Sequence, residues 1–330
     1  MSDNAPLLAV EDLSIMIGRQ AQNLVDGVSF SIMPGETLCI VSESGCGKSV
    51  TALALMGLLQ TPPVSVTDGR VRFDGRDLLG LSTEAWSALR GDRMAMIFQE
   101  PMTALNPAFT IGDQIIESVM RQRTKNAMAL ANDPNLLIAD APTTALDVTI
   151  QAQVINLLED LKEEFSLILI VITHDLAVVR HMSDRVGVMY LGELVAGGEA
   201  EGFFSAPLHP YSRALLAAIP APDPARRHDG DRPTLTGDIP KPVAPPPGCR
   251  FHTRCPFADA RCRPDRRDGG EQAGAGTAHR PAGRCRRARS RSVAHLRGAY
   301  RLYRALRQAR RYRSRSQHRA PARDRLELVG

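Results

Sequence analysis

An α/β fold is what the sequence predicts, and three observations predict it. Apolar strand-like runs alternate with helical patterns over about the first two hundred residues. The stretch "VSESGCGKSV" (Val41–Val50) sets a glycine-bearing loop between one such strand and a helix. A chain of 330 residues, 43% of them hydrophobic, can also bury one large core and a smaller appendage.

The elements run in order along the chain. "ETLCIV" (Glu36–Val41) reads as a buried strand, and "KSVTALALMGLL" (Lys48–Leu59) as the helix after the loop. "NLLIAD" (Asn135–Asp140) and "LILIVIT" (Leu167–Thr173) are further buried strands. Between them, Val154, Leu157, Leu158 and Leu161 keep the i, i+3, i+4, i+7 spacing of one apolar helix face. From Ala206 the texture changes to "APLHPYSRALLAAIPAPDP", and a Pro-rich passage ends in "IPKPVAPPPGC", an extended linker. No internal repeat is visible.

Composition excludes several classes. The longest apolar run, around Ser166–Thr173, suits a buried strand and is far short of a membrane span. The N-terminus has no basic segment followed by an apolar stretch, so no secretory signal is expected. Six cysteines in this length do not make a disulfide scaffold, which points to a reducing cytoplasm. The net charge of +5 hides an asymmetry: residues 263–330 hold 20 Arg, no Lys and 5 acidic residues, while residues 1–262 carry −10. Two compositions are joined near residue 263.

A phosphate-binding loop needs glycines that let backbone N–H groups curl around oxygens, a helix N-terminus, a lysine and a hydroxyl for magnesium. Gly45, Gly47, Lys48 and Ser49 supply these, with Glu43, Ser44 and Cys46 filling the loop. Ser42 stands where the pattern has its first glycine, and a Cβ there is expected to strain the turn and weaken binding. Cys39, inside an apolar strand, reads as packing, and Cys46 need not be chemical.

Further stretches carry a resemblance to the ATP-binding subunits of bacterial ABC importers, in the dipeptide/oligopeptide permease group. "MIFQEPMTALNP" (Met96–Pro107) resembles that group's Q-loop region, "LLIAD" (Leu136–Asp140) a Walker B strand, and "TTALD" (Thr143–Asp147) a D-loop. "VITHD" (Val171–Asp175) resembles the switch region, and "LHPYSRALLAAIP" with "PPPGCRFHTRCPFADARC" resembles the peptide-importer C-terminal extension. With the loop, these make six matches in the expected order, covering residues 7 to 262.

The resemblance implies an ATP-binding cassette core over residues 1–205, the oligopeptide-transporter extension over 206–262, and an Arg-rich tail over 263–330. It implies ATP and Mg²⁺ as cofactors, with Lys48 and the loop amides on phosphates and Ser49 and Asp140 on magnesium. Gln99 and His174 would read the γ-phosphate. Alone, His174 could be a core histidine and Asp140 a helix cap. The implied activity is ATP hydrolysis coupled to peptide import. The implied partners are a second ATP-binding subunit, two transmembrane permease subunits and a periplasmic peptide-binding protein, at the cytoplasmic face of the inner membrane.

Three departures weigh against turnover by this chain. The family places a glutamate after the Walker B aspartate as the base for the attacking water, and here Ala141 stands in its place. Nothing between Gln99 and Asp140 resembles the family's Leu-Ser-Gly-Gly-Gln signature, so the helical subdomain reads as largely lost near residue 120. Ile17 occupies the position of an adenine-stacking aromatic. A hydrolysis-dead paralogue or pseudogene product is therefore the main alternative. A soluble nucleic-acid-associated ATPase is a further one, and the importer extension argues against it.

Cys249, Cys255 and Cys262, spaced C-x5-C-x6-C, fit either a set of packed thiols or thiolate ligation of a soft metal. Some peptide-importer subunits hold a four-iron cluster on four such cysteines, and the fourth here would be Cys285. Twenty arginines without periodic apolar residues do not build a packed core, so a disordered tail is expected. The favoured reading is an out-of-frame stretch of a GC-rich gene. A lipid-touching basic tail and a nucleic-acid arm are the others.

Overall fold

The computed structural model describes residues 5–18, 22–90, 92–99, 134–144, 147–219, 235, 237–242 and 244–263. The stretch holding the remainder of the Q-loop region, the expected truncation near residue 120, Cys285 and the Arg-rich tail lie outside them.

Two sheets carry the structure. Strands β1 (Leu8–Ile17), β2 (Val25–Ile32), β4 (Val64–Phe73) and β5 (Arg76–Asp77) form an antiparallel sheet in the order β2-β1-β4-β5. The second sheet is built from β3 (Thr37–Val41), β6 (Met94–Ile97), β7 (Leu136–Asp140), β8 (Ile168–Thr173), β9 (Arg185–Tyr190) and β10 (Glu193–Glu199). Its order is β10-β9-β3-β8-β7-β6, parallel from β9 to β6, with β10 returning antiparallel to β9.

β3, β7 and β8 are buried at every residue. A parallel sheet covered on both faces needs apolar side chains in both directions, hence the unbroken apolar runs. The two-residue period then sorts them. Leu38, Ile40, Leu136, Ile138, Ile168, Ile170 and Ile172 join the core shared with the antiparallel sheet and with helix α1 (Lys48–Leu55). Cys39, Val41, Leu137, Leu169 and Val171 join the opposite core. That core is closed by helices α3 (Val148–Phe165), α4 (Leu176–Met182), α5 (Ala200–Ser205) and α6 (Pro210–Ala217). A short helix α2 (Thr83–Leu89), N-capped by Ser82, packs Trp86 and Leu89 into the first core.

Two expectations need correction. Helix α1 ends at Leu55 and not Leu59, because Gly57 takes φ 61 and its N–H turns back to the Ala54 carbonyl. Trp86 also crowds that spot so closely that a Cβ at Gly57 would lie 2.5 Å from its ring. In α3 the buried stripe runs through Ile155 and Leu158, flanked by Val154, Leu161 and Phe165. Leu157 is 55% exposed, since it sits about 100° round the helix from Leu158.

Candidate functional site

In an open parallel sheet, ligands sit outside the carboxyl ends of the strands. The register gathers the expected site residues there. Val41 pairs with Thr173, Asp140 with Ile172, and Ile97 with Ala139. The chain leaves each of these strands at the same edge, which brings together Ser42 after β3, His174 after β8, Ala141 after β7 and Gln99 just past β6. Gln99 and His174 are both exposed at that edge.

The loop between β3 and α1 is held from within. Gly45 and Gly47 adopt φ 80 and 96, a region closed to most L residues, and this lets the chain curl before the helix starts. Cys46 and Gly47 are buried while Ser44 and Gly45 are exposed, so the open side of the loop is at Ser44–Gly45. Gly47 is the N-cap of α1 and no side chain caps it. The N–H groups of the first turn are left for a ligand. The Lys48 ammonium donates to the Ser42 carbonyl at 2.9 Å, the Glu43 carbonyl at 3.0 Å and the Ser42 hydroxyl at 2.6 Å. Burial lowers the proton affinity of Lys48, against the pull of neighbouring Cys46, Asp140 and Glu43.

Ser42 does not behave as expected. It is 2% exposed and is not among the described non-glycine residues with positive φ, so its Cβ strains nothing. Its hydroxyl accepts from Lys48 and itself donates to the Glu43 carbonyl at 2.8 Å, so it ties the lysine to the loop.

Across the loop, Asp140 ends β7, with the Ser49 hydroxyl and the Lys48 charge close enough to act on its carboxyl. Burial raises the carboxyl above the usual aspartate range, while Ser49 and the Lys48 charge oppose that rise. A hydroxyl, a carboxylate and a lysine beside uncapped helix amides fit a magnesium-bound polyphosphate by donor chemistry. Ala141 comes next, with φ 49 and its N–H donated to the Ile172 carbonyl at 2.8 Å. The D-loop match ends at Asp147, whose carboxylate caps α3 through Ile150 N–H. After His174, Asp175 caps α4 and accepts 2.7 Å from the Gln151 side chain, which fixes the switch loop to α3. Ile17 is the last residue of β1, opposite Val64.

Cys39 is fully buried, and burial pushes its thiol up to about 12, as packing requires. Cys46 is also buried. Cys249, Cys255 and Cys262 share one compact turn, closed by Cys249 N–H to the Cys262 carbonyl at 3.0 Å. Burial raises Cys255, and Cys249 and Cys262 reinforce the shift from nearby. Among the described residues no group of three His, Cys, Asp or Glu is placed to hold a metal.

Sequence reasoning misses Tyr211 and Arg254, which reach the loop from the C-terminal segment. Tyr211 Oη accepts the Glu43 N–H at 2.9 Å, and Arg254 takes both Glu43 carboxylate oxygens, at 2.6 and 3.1 Å. The signal is faint: "HPY" and "FHTRC" carry only family texture, and no local pattern pairs residue 43 with residue 254.

The profile of the ABC transporter family matches residues 25–128, and that of the oligopeptide/dipeptide transporter C-terminal region matches residues 197–262. The oligopeptide transport ATP-binding protein OppF of Escherichia coli is 44% identical, over 72% of this chain and 81% of its own. The oligopeptide transport ATP-binding protein AppD of Bacillus subtilis is 40% identical, over 78% and 90%. Among solved structures, cbiO1 of Clostridium perfringens, part of the ABC transporter complex cbiONQ, aligns over 62% of this chain and 92% of its own. There the identity is 22% and the TM-score 0.48. The alignment to OppF runs over 278 residues but uses only 72% of these 330, about 238, so it crosses roughly forty positions that this chain lacks. Among the described residues no helix is long and apolar enough to cross a membrane. With two thirds and more of such relatives covered at this identity, the chain belongs to the ATP-binding subunits of ABC transporters, in their oligopeptide/dipeptide branch.

Proposed function

We propose that this chain binds ATP with Mg²⁺ on residues 42–49 and Asp140, and serves as the energy-coupling subunit of a peptide importer. The observation that carries the reading is the set Lys48, Ser49 and Asp140 at the carboxyl edge of the parallel sheet, beside an uncapped helix N-terminus. Its relatives are transport ATP-binding proteins, so the coupled reaction is ATP hydrolysis and the partners are membrane permeases. The finer assembly is a second ATP-binding subunit, two permease subunits and a periplasmic peptide-binding protein, with this chain peripheral on the cytoplasmic face of the inner membrane.

Within the chain, a cassette core (1–205) and an importer extension (206–262) are the units proposed, with the helical subdomain shortened near residue 120. The roughly forty positions missing from the alignment support that shortening. Gln99 and His174 are proposed to face the γ-phosphate, from their places at the strand ends.

Nucleotide titration tests the reading. Lys48→Ala weakens ATP binding at least about tenfold, the scale of a lost charge-assisted hydrogen bond. Unchanged affinity in that variant overturns the site.

An iron–sulfur cluster is the finer proposal for Cys249, Cys255, Cys262 and Cys285. Its support is the C-x5-C-x6-C spacing on a segment closed by Cys249 N–H to the Cys262 carbonyl, although the first three thiols are not placed as a metal-holding group among the described residues. Anaerobically purified protein would then be brown and carry iron and sulfide, and Cys255→Ser would remove both. Colourless, iron-free protein leaves packed thiols.

A further inference from the structure

Glu43 is the loop residue whose N–H and carboxylate both engage the C-terminal segment. Its carbonyl accepts from Lys48 at 3.0 Å. Its N–H goes to Tyr211 at 2.9 Å, and its carboxylate takes the Arg254 fork at 2.6 and 3.1 Å. Two of these three anchors come from the C-terminal segment, 168 and 211 residues away in sequence.

Those anchors are themselves rigid. Tyr211 is fully buried, and the Arg254 side chain is only 6% exposed. Tyr211, Tyr190 and Phe251 stack edge-on or tilted with ring centres 4.8 to 5.4 Å apart. Four residues before Arg254, Arg250 donates to the Leu191 carbonyl and pairs with Asp26 and with Glu193 at 3.3 Å. This fixes the turn to the β9–β10 hairpin, whose Gly192 N–H reaches the Cys46 carbonyl at 3.0 Å. A buried guanidinium cannot follow a moving carboxylate, so Glu43 is positioned by the extension and not the reverse.

We infer that Arg254 is a positioning residue for nucleotide binding: through its bidentate pair with Glu43, assisted by Tyr211, the C-terminal extension holds the phosphate loop in its receptive shape. The inference rests on the nucleotide reading above. Preorganised donors bind a ligand without first paying to order the loop. The extension is thereby an internal part of the nucleotide site and more than an appendage for partners.

The test is ATP–Mg²⁺ titration of the full chain, with thermal melts of the nucleotide-free protein alongside. Arg254→Ala weakens ATP about tenfold, and Arg254→Lys recovers only part of this, since an ammonium lacks the fork. Glu43→Gln in the Arg254→Ala background costs nothing further, because both changes break one contact. Additive losses, or unchanged affinity in Arg254→Ala, overturn the inference. Should Arg254→Ala fail to fold, Tyr211→Phe deletes only the hydroxyl and is expected to weaken ATP severalfold. Unchanged affinity there overturns it as well. Lys48→Ala separates the two levels. If it abolishes binding while Arg254→Ala does not alter it, the site stands and only the positioning role falls.

Discussion

Ala141→Glu raises ATP turnover about 100-fold or more when this chain is paired with an intact family ATPase subunit, and leaves the isolated chain at its low rate. A positioned general base contributes about 10²–10⁴-fold, and a methyl group can neither accept a proton nor orient water. Ala141 directly follows Asp140, the last residue of β7, at the carboxyl edge of the sheet. Its N–H is pinned to the Ile172 carbonyl, so a glutamate there would be presented from a fixed backbone. The left-handed φ of 49 already carries a Cβ, so glutamate adds no backbone strain beyond that of alanine. The position is half-buried, which leaves a carboxylate access to water. The isolated chain gains nothing because, by family resemblance, each site closes with the other subunit's signature, and none is found between Gln99 and Asp140. Phosphate release by the mixed dimer checks this. Equal rates for the parent and the variant would show that another group serves as base.

The parallel sheet is legible in the sequence because both of its faces are covered. Residues such as Leu136–Ile138 and Ile168–Ile172 must then be apolar without interruption, and such runs are visible in one dimension. The loop is legible for a different reason: Gly45, Gly47, Lys48 and Ser49 are neighbours in sequence, and their chemistry is local. The antiparallel sheet is not. Its strands β1 and β4 pair over about fifty intervening residues, and their mixed burial gives only broken alternation. The helix face of α3 is placed partly wrong by periodicity because Leu157 fits the spacing as well as Ile155 does, and only packing decides between them. Ser42 misleads because a glycine position in a pattern is not always a positive-φ position. Its actual consequence, the 2.6 Å contact to Lys48, is a three-dimensional fact. Arg254 and Glu43 are out of reach for the same reason.

Asp140→Asn makes the nucleotide-free protein more stable while removing Mg²⁺-dependent ATP binding. Burial raises the Asp140 carboxyl above its ordinary value, so the folded state holds this proton more tightly than the unfolded chain. Such a group costs stability at neutral pH, where it must be ionised in the fold. The cost shrinks as pH falls through the raised value toward the unfolded one, so stability rises on mild acidification from this group. Glu36, raised by burial despite Arg185, has the same sign, and the difference between the parent and Asp140→Asn isolates Asp140. Asparagine keeps the shape and an acceptor for Ser49 but carries no charge to desolvate. The expected result is a higher melting temperature at neutral pH. That gain should fade toward acid pH. The same substitution takes the anionic ligand away from magnesium, and ATP affinity in the presence of Mg²⁺ falls at least about tenfold. Opposite signs in the two measurements mark a residue kept for its ligand at the expense of the fold. A lower melting temperature for Asp140→Asn would mean that the Ser49 hydroxyl and the Lys48 charge outweigh burial, and that Asp140 is a structural member of the site.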